Sequence, residues 1–246
     1  MKIALCLSGQ PRVVDIGFQK LNQSILQNND VDVFIHTWFD LENLNTNSII
    51  PGREGHTLDS QAIDKLVNYY QPKRIMVEKS KNWKRRYDIP DKCFTNAWTW
   101  ALEVKDGIEV AKDYICNTTN SMFYSMMMAN LIKEQYSIET DIQYDFIIRN
   151  RIDYSPHVVL NFNNMILDND VLLYQDLNQP DGMISDWFAM GRTNAMNVFC
   201  GVYNHIGQLI RQSNQIDGYW CNELLLKHHI ANNKIKINPV DYQVHY

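Results

Sequence analysis

Three short strand-like runs, the apolar Ile3–Leu7, the β-rich Val31–Trp38 and Arg74–Val77, open the chain, and stretches of helical spacing fill the intervals between them. Val14, Phe18, Leu21 and Ile25 recur at near-helical intervals within Val13–Leu26, and Asp59 or Ser60 stands as a cap before an amphipathic stretch ending at Tyr70. Runs that are apolar throughout, rather than alternating, mark strands buried on both faces. Strands joined through crossover helices lie parallel in one sheet. The predicted opening is therefore βαβαβ, a Rossmann-like half-sheet flanked by helices.

The rest of the chain extends this pattern less regularly. Helices are expected over about Trp98–Tyr114 and Ser121–Tyr136, then a strand over Asp145–Asn150. Short strands follow at Val158–Leu160, Val171–Tyr174 and Trp187–Met190, helices at Thr193–Ile206 and Gly218–Ala231, and a last strand at Lys234–Asn238. Ile49–Thr57 and Lys79–Thr95 read as loops, the second long enough to suggest a working role. No repeat or low-complexity linker divides the 246 residues, so the prediction is a single α/β domain with a mixed sheet.

Composition removes some classes of function. A net charge of −5 argues against a nucleic-acid-binding surface. The densest basic run, Lys79–Arg86, is short; it reads as a solvated loop or as an entrance that draws in an anion. The 5 cysteines show no CxxC pairing and read as reduced, buried thiols of a cytoplasmic protein. Ser8-Gly9-Gln10-Pro11-Arg12 interrupts the first apolar run too early for a signal sequence or a membrane span, so no integral membrane segment is expected.

Four constellations have chemical content. The first is Tyr144–Tyr154, where Phe146, Ile147 and Ile148 lead into Arg149, Arg151 and Asp153. Alternation places those three on one face at the carboxyl edge of the sheet, where open α/β sheets bind ligands. Two guanidinium groups suit a diphosphate, and a carboxylate beside them suits ribose hydroxyls or a divalent ion. A plain ion pair closing the strand accounts for the same residues. The second is Ser8, Gly9, Gln10 and Arg12, which read as a backbone cradle plus a cation for a base or phosphate, or as a simple turn. The third is Asp186, within Asp181–Gly191, a carboxylate beside Trp187 suited to a general base or to a turn cap. The fourth is Glu223, with His228 and His229 downstream; Lys227 stands one turn on, so no metal-binding helix motif is present. His36 and Trp38 close the second strand and are further candidates to line a pocket. GxGxxG, GxxxxGK[ST] and GxSxG are all absent from the sequence.

Taken in order, KIALCLSGQPR, VDVFIHTW, YDFIIRNRIDY, ISDWFAMG and CNELLLKHHI resemble bacterial and viral polysaccharide glycosyltransferases of GT-A type. The resemblance implies a GT-A-like fold, with residues 1–154 holding a UDP-, GDP- or dTDP-sugar donor and residues 155–246 shaping the site for a glycan or other hydroxyl acceptor. It also implies that Arg151-Ile152-Asp153 occupies the place of the usual Asp-x-Asp metal motif. Asp153 would then meet ribose or a divalent ion, Mn²⁺ or Mg²⁺, while Arg151 neutralises the diphosphate directly. Ser8, Gly9, Gln10, Arg12, His36, Arg149 and Arg151 are the expected donor-binding residues, with Asn130 and Lys133 reaching the same phosphates. Asp186, then Glu223, are the expected catalytic bases. A nucleotidyltransferase, another nucleotide-sugar enzyme, or a carbohydrate- or nucleotide-binding module without turnover is the competing expectation.

Overall fold

The computed structural model describes residues 1–44, 58–154, 159–162, 165, 167–175 and 182–240. The expected loop Ile49–Thr57, together with Val158 and Asp181, lies outside the described residues. β1 (Lys2–Gly9) is buried along its middle six residues, as its unbroken apolar run requires. Gly9 leaves the strand at φ 121°, a backbone conformation that side-chain-bearing residues rarely adopt. Val13 follows at φ 46°, an unusual setting for a β-branched residue, and opens α1 (Val14–Leu21), which runs into a π-helical turn over Asn22–Leu26. β2 (Asp30–Trp38), α2 (Ala62–Tyr70) and β3 (Arg74–Glu78) complete the predicted opening. The Asp59 carboxylate accepts the Gln61 N–H at 2.9 Å and so caps the turn entering α2.

Two short helices, α3 (Lys92–Asn96) and α4 (Thr99–Val104), precede α5 (Ile108–Thr140), a single helix of 33 residues. The sequence reading splits α5 in two, because Asn117, Thr118, Thr119 and Asn120 are poor helix formers. Tertiary bonds override that preference. The Thr119 hydroxyl donates to Asn222 Oδ1 at 2.8 Å, and Asn117 Oδ1 accepts the Trp83 N–H at 2.7 Å. β4 (Phe146–Arg151), β5 (Val171–Gln175) and β6 (Phe188–Gly191) follow, while Val159 and Leu160 form no strand. The chain closes with α6 (Thr193–Cys200), α7 (Ile206–Ile216), α8 (Asn222–Asn232) and β7 (Lys236–Val240). The sequence reading omits α7, although Ile206, Leu209, Ile210 and Ser213 form its buried stripe at helical spacing.

The seven strands form one mixed sheet in the order β3-β2-β1-β4-β6-β5-β7. β1 is parallel to β2 and β4, β2 is parallel to β3, and β6 runs antiparallel to both β4 and β5. One apolar core packs Leu5, Leu7, Val33 and Ile35 against α1 and α2. The other packs Ala4, Cys6, Phe34 and Ile147 against α5, α6 and α8. The molecule is a single α/β domain with helices on both faces of the sheet. Its strand order reverses between β1 and β4, so their carboxyl ends border the crevice where such sheets bind ligands. Among the described residues no helix is long and apolar enough to cross a membrane.

Candidate functional site

A cavity of about 560 Å³ opens at that crevice. Ser8, Gly9 and Gln10 from the end of β1, with Arg149, Arg151 and Asp153 from the end of β4, form one side. The pairing of Ser8 with Arg151 keeps the two strand ends level, and the Ile152 N–H extends the ladder to the Ser8 carbonyl at 3.3 Å. Opposite them, α5 presents Tyr114, Asn117, Thr118, Ser121 and Met122, spaced so that all fall on one helix face. Arg12, Trp38, Lys81, Asn82 and Lys105 complete the lining. Five cations and one carboxylate therefore share the walls, an environment suited to an anion.

Arg149 is the most constrained of these cations. It is 1% exposed, and its Nη2 donates to Ser8 Oγ at 3.4 Å. Its Nε and Nη1 have no hydrogen-bond partner among the described residues. Burial lowers its pKa to about 10, with Asp186 the largest opposing influence. The guanidinium thus stays charged near neutrality with two N–H donors uncommitted. Arg151 differs. Its Nε and Nη2 fork onto the two oxygens of Asp153 at 2.8 Å each, and its guanidinium lies 5.5 Å from the Trp187 ring centre. The strand-closing ion pair and the convergence on a cavity are therefore both present.

Asp186 and Glu223 stand beside this wall and do not line the cavity. Asp186 is 4% exposed, and its Oδ1 has no hydrogen-bond partner among the described residues. It precedes β6, whose antiparallel pairing with β4 brings it to the same sheet edge as Arg149. Glu223 lies in the first turn of α8, where its carbonyl accepts the Ile184 N–H at 3.4 Å and ties the loop before β6 to that helix. Burial, and then the negative charge of Asp186, raise the Glu223 carboxyl to about 7. The structure thus groups Arg149, Asp186 and Glu223 into one electrostatically coupled set.

Other expected residues fall elsewhere. His36 is wholly buried and is not part of the cavity lining. Lys133 lines a second cavity with Glu134 and Arg192. It lies twelve residues beyond Ser121 on α5, roughly 18 Å along the helix at 1.5 Å per residue, too far to share the same phosphates. Asn130, nine residues beyond Ser121, is bonded to Asn197 Oδ1 at 2.8 Å on α6. At Gly9, expected to offer its backbone to a phosphate, the N–H instead donates to Ser125 Oγ at 3.0 Å, and the carbonyl accepts the Thr37 hydroxyl at 2.8 Å. His228 pairs with Asp217 at 2.7 Å and His229 with the Val198 carbonyl at 2.9 Å. All five cysteines are free and buried.

Among the described residues Asp153 is the single carboxylate on the cavity wall, and both its oxygens face the Arg151 guanidinium. A dication bound there would have to displace that fork against a fixed positive charge. Among the described residues no group of three or more His, Cys, Asp or Glu side chains could hold a metal.

The sequence reading did not anticipate the α5 wall. Its signal was available as Tyr114, Asn117, Thr118, Ser121 and Met122 at helical spacing, but the assumed break in α5 concealed it. No protein-family model matches the chain, and no curated protein matches it.

Proposed function

We propose that this protein is a glycosyltransferase of GT-A-like architecture, which binds a nucleotide-sugar donor in the cavity between β1, β4 and α5. One observation carries the reading: Arg12, Arg149 and Arg151 converge on one cavity at the strand-order reversal, and buried Arg149 keeps two N–H donors uncommitted. A diphosphate supplies the charge and the acceptor oxygens that such a group lacks. Binding the leaving diphosphate in a preorganised cationic site stabilises charge as the glycosidic C–O bond breaks. An acceptor hydroxyl then forms the new bond to the anomeric carbon, and its proton passes to a carboxylate. Asp186 is the first assignment for that base and Glu223 the second, because both stand beside the Arg149 wall and the charge of Asp186 adds to the proton affinity of Glu223.

Asp186→Asn should bind nucleotide as the wild type does, while transfer slows on the order of 10²-fold or more. The assay follows nucleoside diphosphate release with a panel of sugar donors; transfer at the wild-type rate would remove Asp186 from the mechanism. Pyrophosphate release in its place would identify a nucleotidyltransferase. A module that binds without turnover is the second reading, favoured by the fact that neither carboxylate lines the cavity. It would show donor binding with no transfer and no slow donor hydrolysis.

A further inference from the structure

We infer that His36, which is not part of the cavity lining, is a positioning residue that joins Gly9 on one side of the ligand cavity to Lys81 at its rim. The inference rests on the cavity being the ligand site described above. Four contacts trace the connection, and aromatic packing closes it. His36 Nδ1 lies 2.8 Å from Ser125 Oγ, which accepts the Gly9 N–H at 3.0 Å. His36 Nε2 lies 2.9 Å from Glu78 Oε2, and Glu78 Oε1 holds the Lys81 ammonium at 2.7 Å. Lys81 also donates to Tyr124 Oη at 2.8 Å, and its ammonium sits over the Tyr124 ring, 4.0 Å from the centre. Tyr124 stacks on Trp38 at 5.4 Å between ring centres, and Trp38 meets the His36 ring edge-on at 4.9 Å. Gly9, Trp38 and Lys81 all line the cavity, so one buried ring supports three of its wall residues.

Proton placement follows from donor and acceptor capacity. The Glu78 carboxylate only accepts, so Nε2 carries a proton. In the neutral ring Nδ1 is bare, and the Ser125 hydroxyl donates to it. In the imidazolium Nδ1–H donates to Ser125 Oγ, and the Ser125 proton turns to the His36 carbonyl, 3.3 Å away. Ser125 Oγ accepts the Gly9 N–H in both states, but its hydroxyl reverses direction. The titratable groups facing the ring are Glu78 from β3, Lys81 from the segment after it, and Tyr124 from α5. Burial holds the imidazole below its ordinary value, while Glu78 opposes that shift and Lys81 adds to it. Positioning of this kind differs from direct ligand contact, because the ring acts through its neighbours Ser125, Glu78 and Trp38.

The test combines a spectroscopic readout with an anion probe. Amide spectra of the full chain follow Gly9 while imidazole signals follow His36 across pH. The Gly9 resonance should move with the same midpoint as the His36 ring, and Ser125→Ala should abolish that movement. Inorganic pyrophosphate, titrated into Ser125→Ala, His36→Asn and the double variant, should bind about 3- to 10-fold more weakly in each, with effects that do not add. If His36→Asn fails to fold, Ser125→Ala and the pH titration still decide the matter. A Gly9 resonance indifferent to the His36 titration, or pyrophosphate affinity unchanged in folded Ser125→Ala, overturns the inference. Failure of every nucleotide sugar to bind the wild type would instead remove the donor assignment, and the shared Gly9–His36 titration would still stand or fall separately.

Discussion

Burying a guanidinium with two unpartnered N–H groups is costly, and Arg149 carries that cost in the middle of the sheet. Removing the guanidinium would nonetheless leave the buried Asp186 carboxylate without its opposing charge. Arg149→Met is therefore expected to unfold at a lower temperature, losing about 1–3 kcal/mol, while nucleotide-sugar affinity falls on the order of 100-fold. Thermal melts and calorimetric titration of the same preparation check the two halves together. A variant that loses stability and keeps affinity would assign Arg149 to the fold alone. Glu223 makes a pH prediction. Its carboxyl is raised from 4.5 to about 7, so the folded state holds a proton that the unfolded state releases earlier. Its stabilising contribution is complete below about pH 4.5 and is lost as pH rises toward 7. Glu223→Gln cannot titrate, and melts across that window should show a shallower decline than in the wild type. An identical slope would remove Glu223 as its source.

At the level of elements, close packing ties the helices to the site. A Cβ at Gly17 of α1 would stand 2.5 Å from the Ile152 carbonyl oxygen, inside any permitted contact. Ile152 separates Arg151 from Asp153, so Gly17→Ala should push on the segment that presents their fork. The expected loss is about 1–3 kcal/mol of stability, the usual range for overpacking, with weakened donor binding in the protein that still folds. Chemical denaturation alongside nucleotide titration measures both; unchanged stability would show that α1 can shift freely. The same level explains what could be read in the sequence. β1, β2 and β4 were legible from their apolar stretches Ile3–Leu7, Val33–Ile35 and Phe146–Ile148, and Arg149, Arg151 and Asp153 because they follow the last of these. The α5 wall was not, because Asn117–Asn120 owe their helical state to tertiary bonds such as Thr119 to Asn222. The burial of His36 was equally hidden, since Ser125 and Glu78, which satisfy its ring, come from distant parts of the chain.

Over the whole molecule, groups of different character follow the strand order along one sheet edge. Trp38 and Lys81 lie at the β2 and β3 side, the arginines at β1 and β4, and Asp186 beside β6. Positive charge at the β1 and β4 ends comes from arginines, and among the described residues the one carboxylate on the cavity wall is already forked to one of them. Donor binding should therefore survive chelation of divalent ions, because Arg151 supplies fixed positive charge where a metal would otherwise sit. The most direct measurement is calorimetric titration of UDP-, GDP- and dTDP-sugars into wild-type and Arg149→Met protein with EDTA present throughout. At least one donor should bind the wild type with a Kd below about 1 mM, within the range of working substrate affinities, and bind the variant on the order of 100-fold more weakly. Binding of no donor by the wild type, or equal binding by the two proteins, would contradict a nucleotide-sugar site built on Arg149.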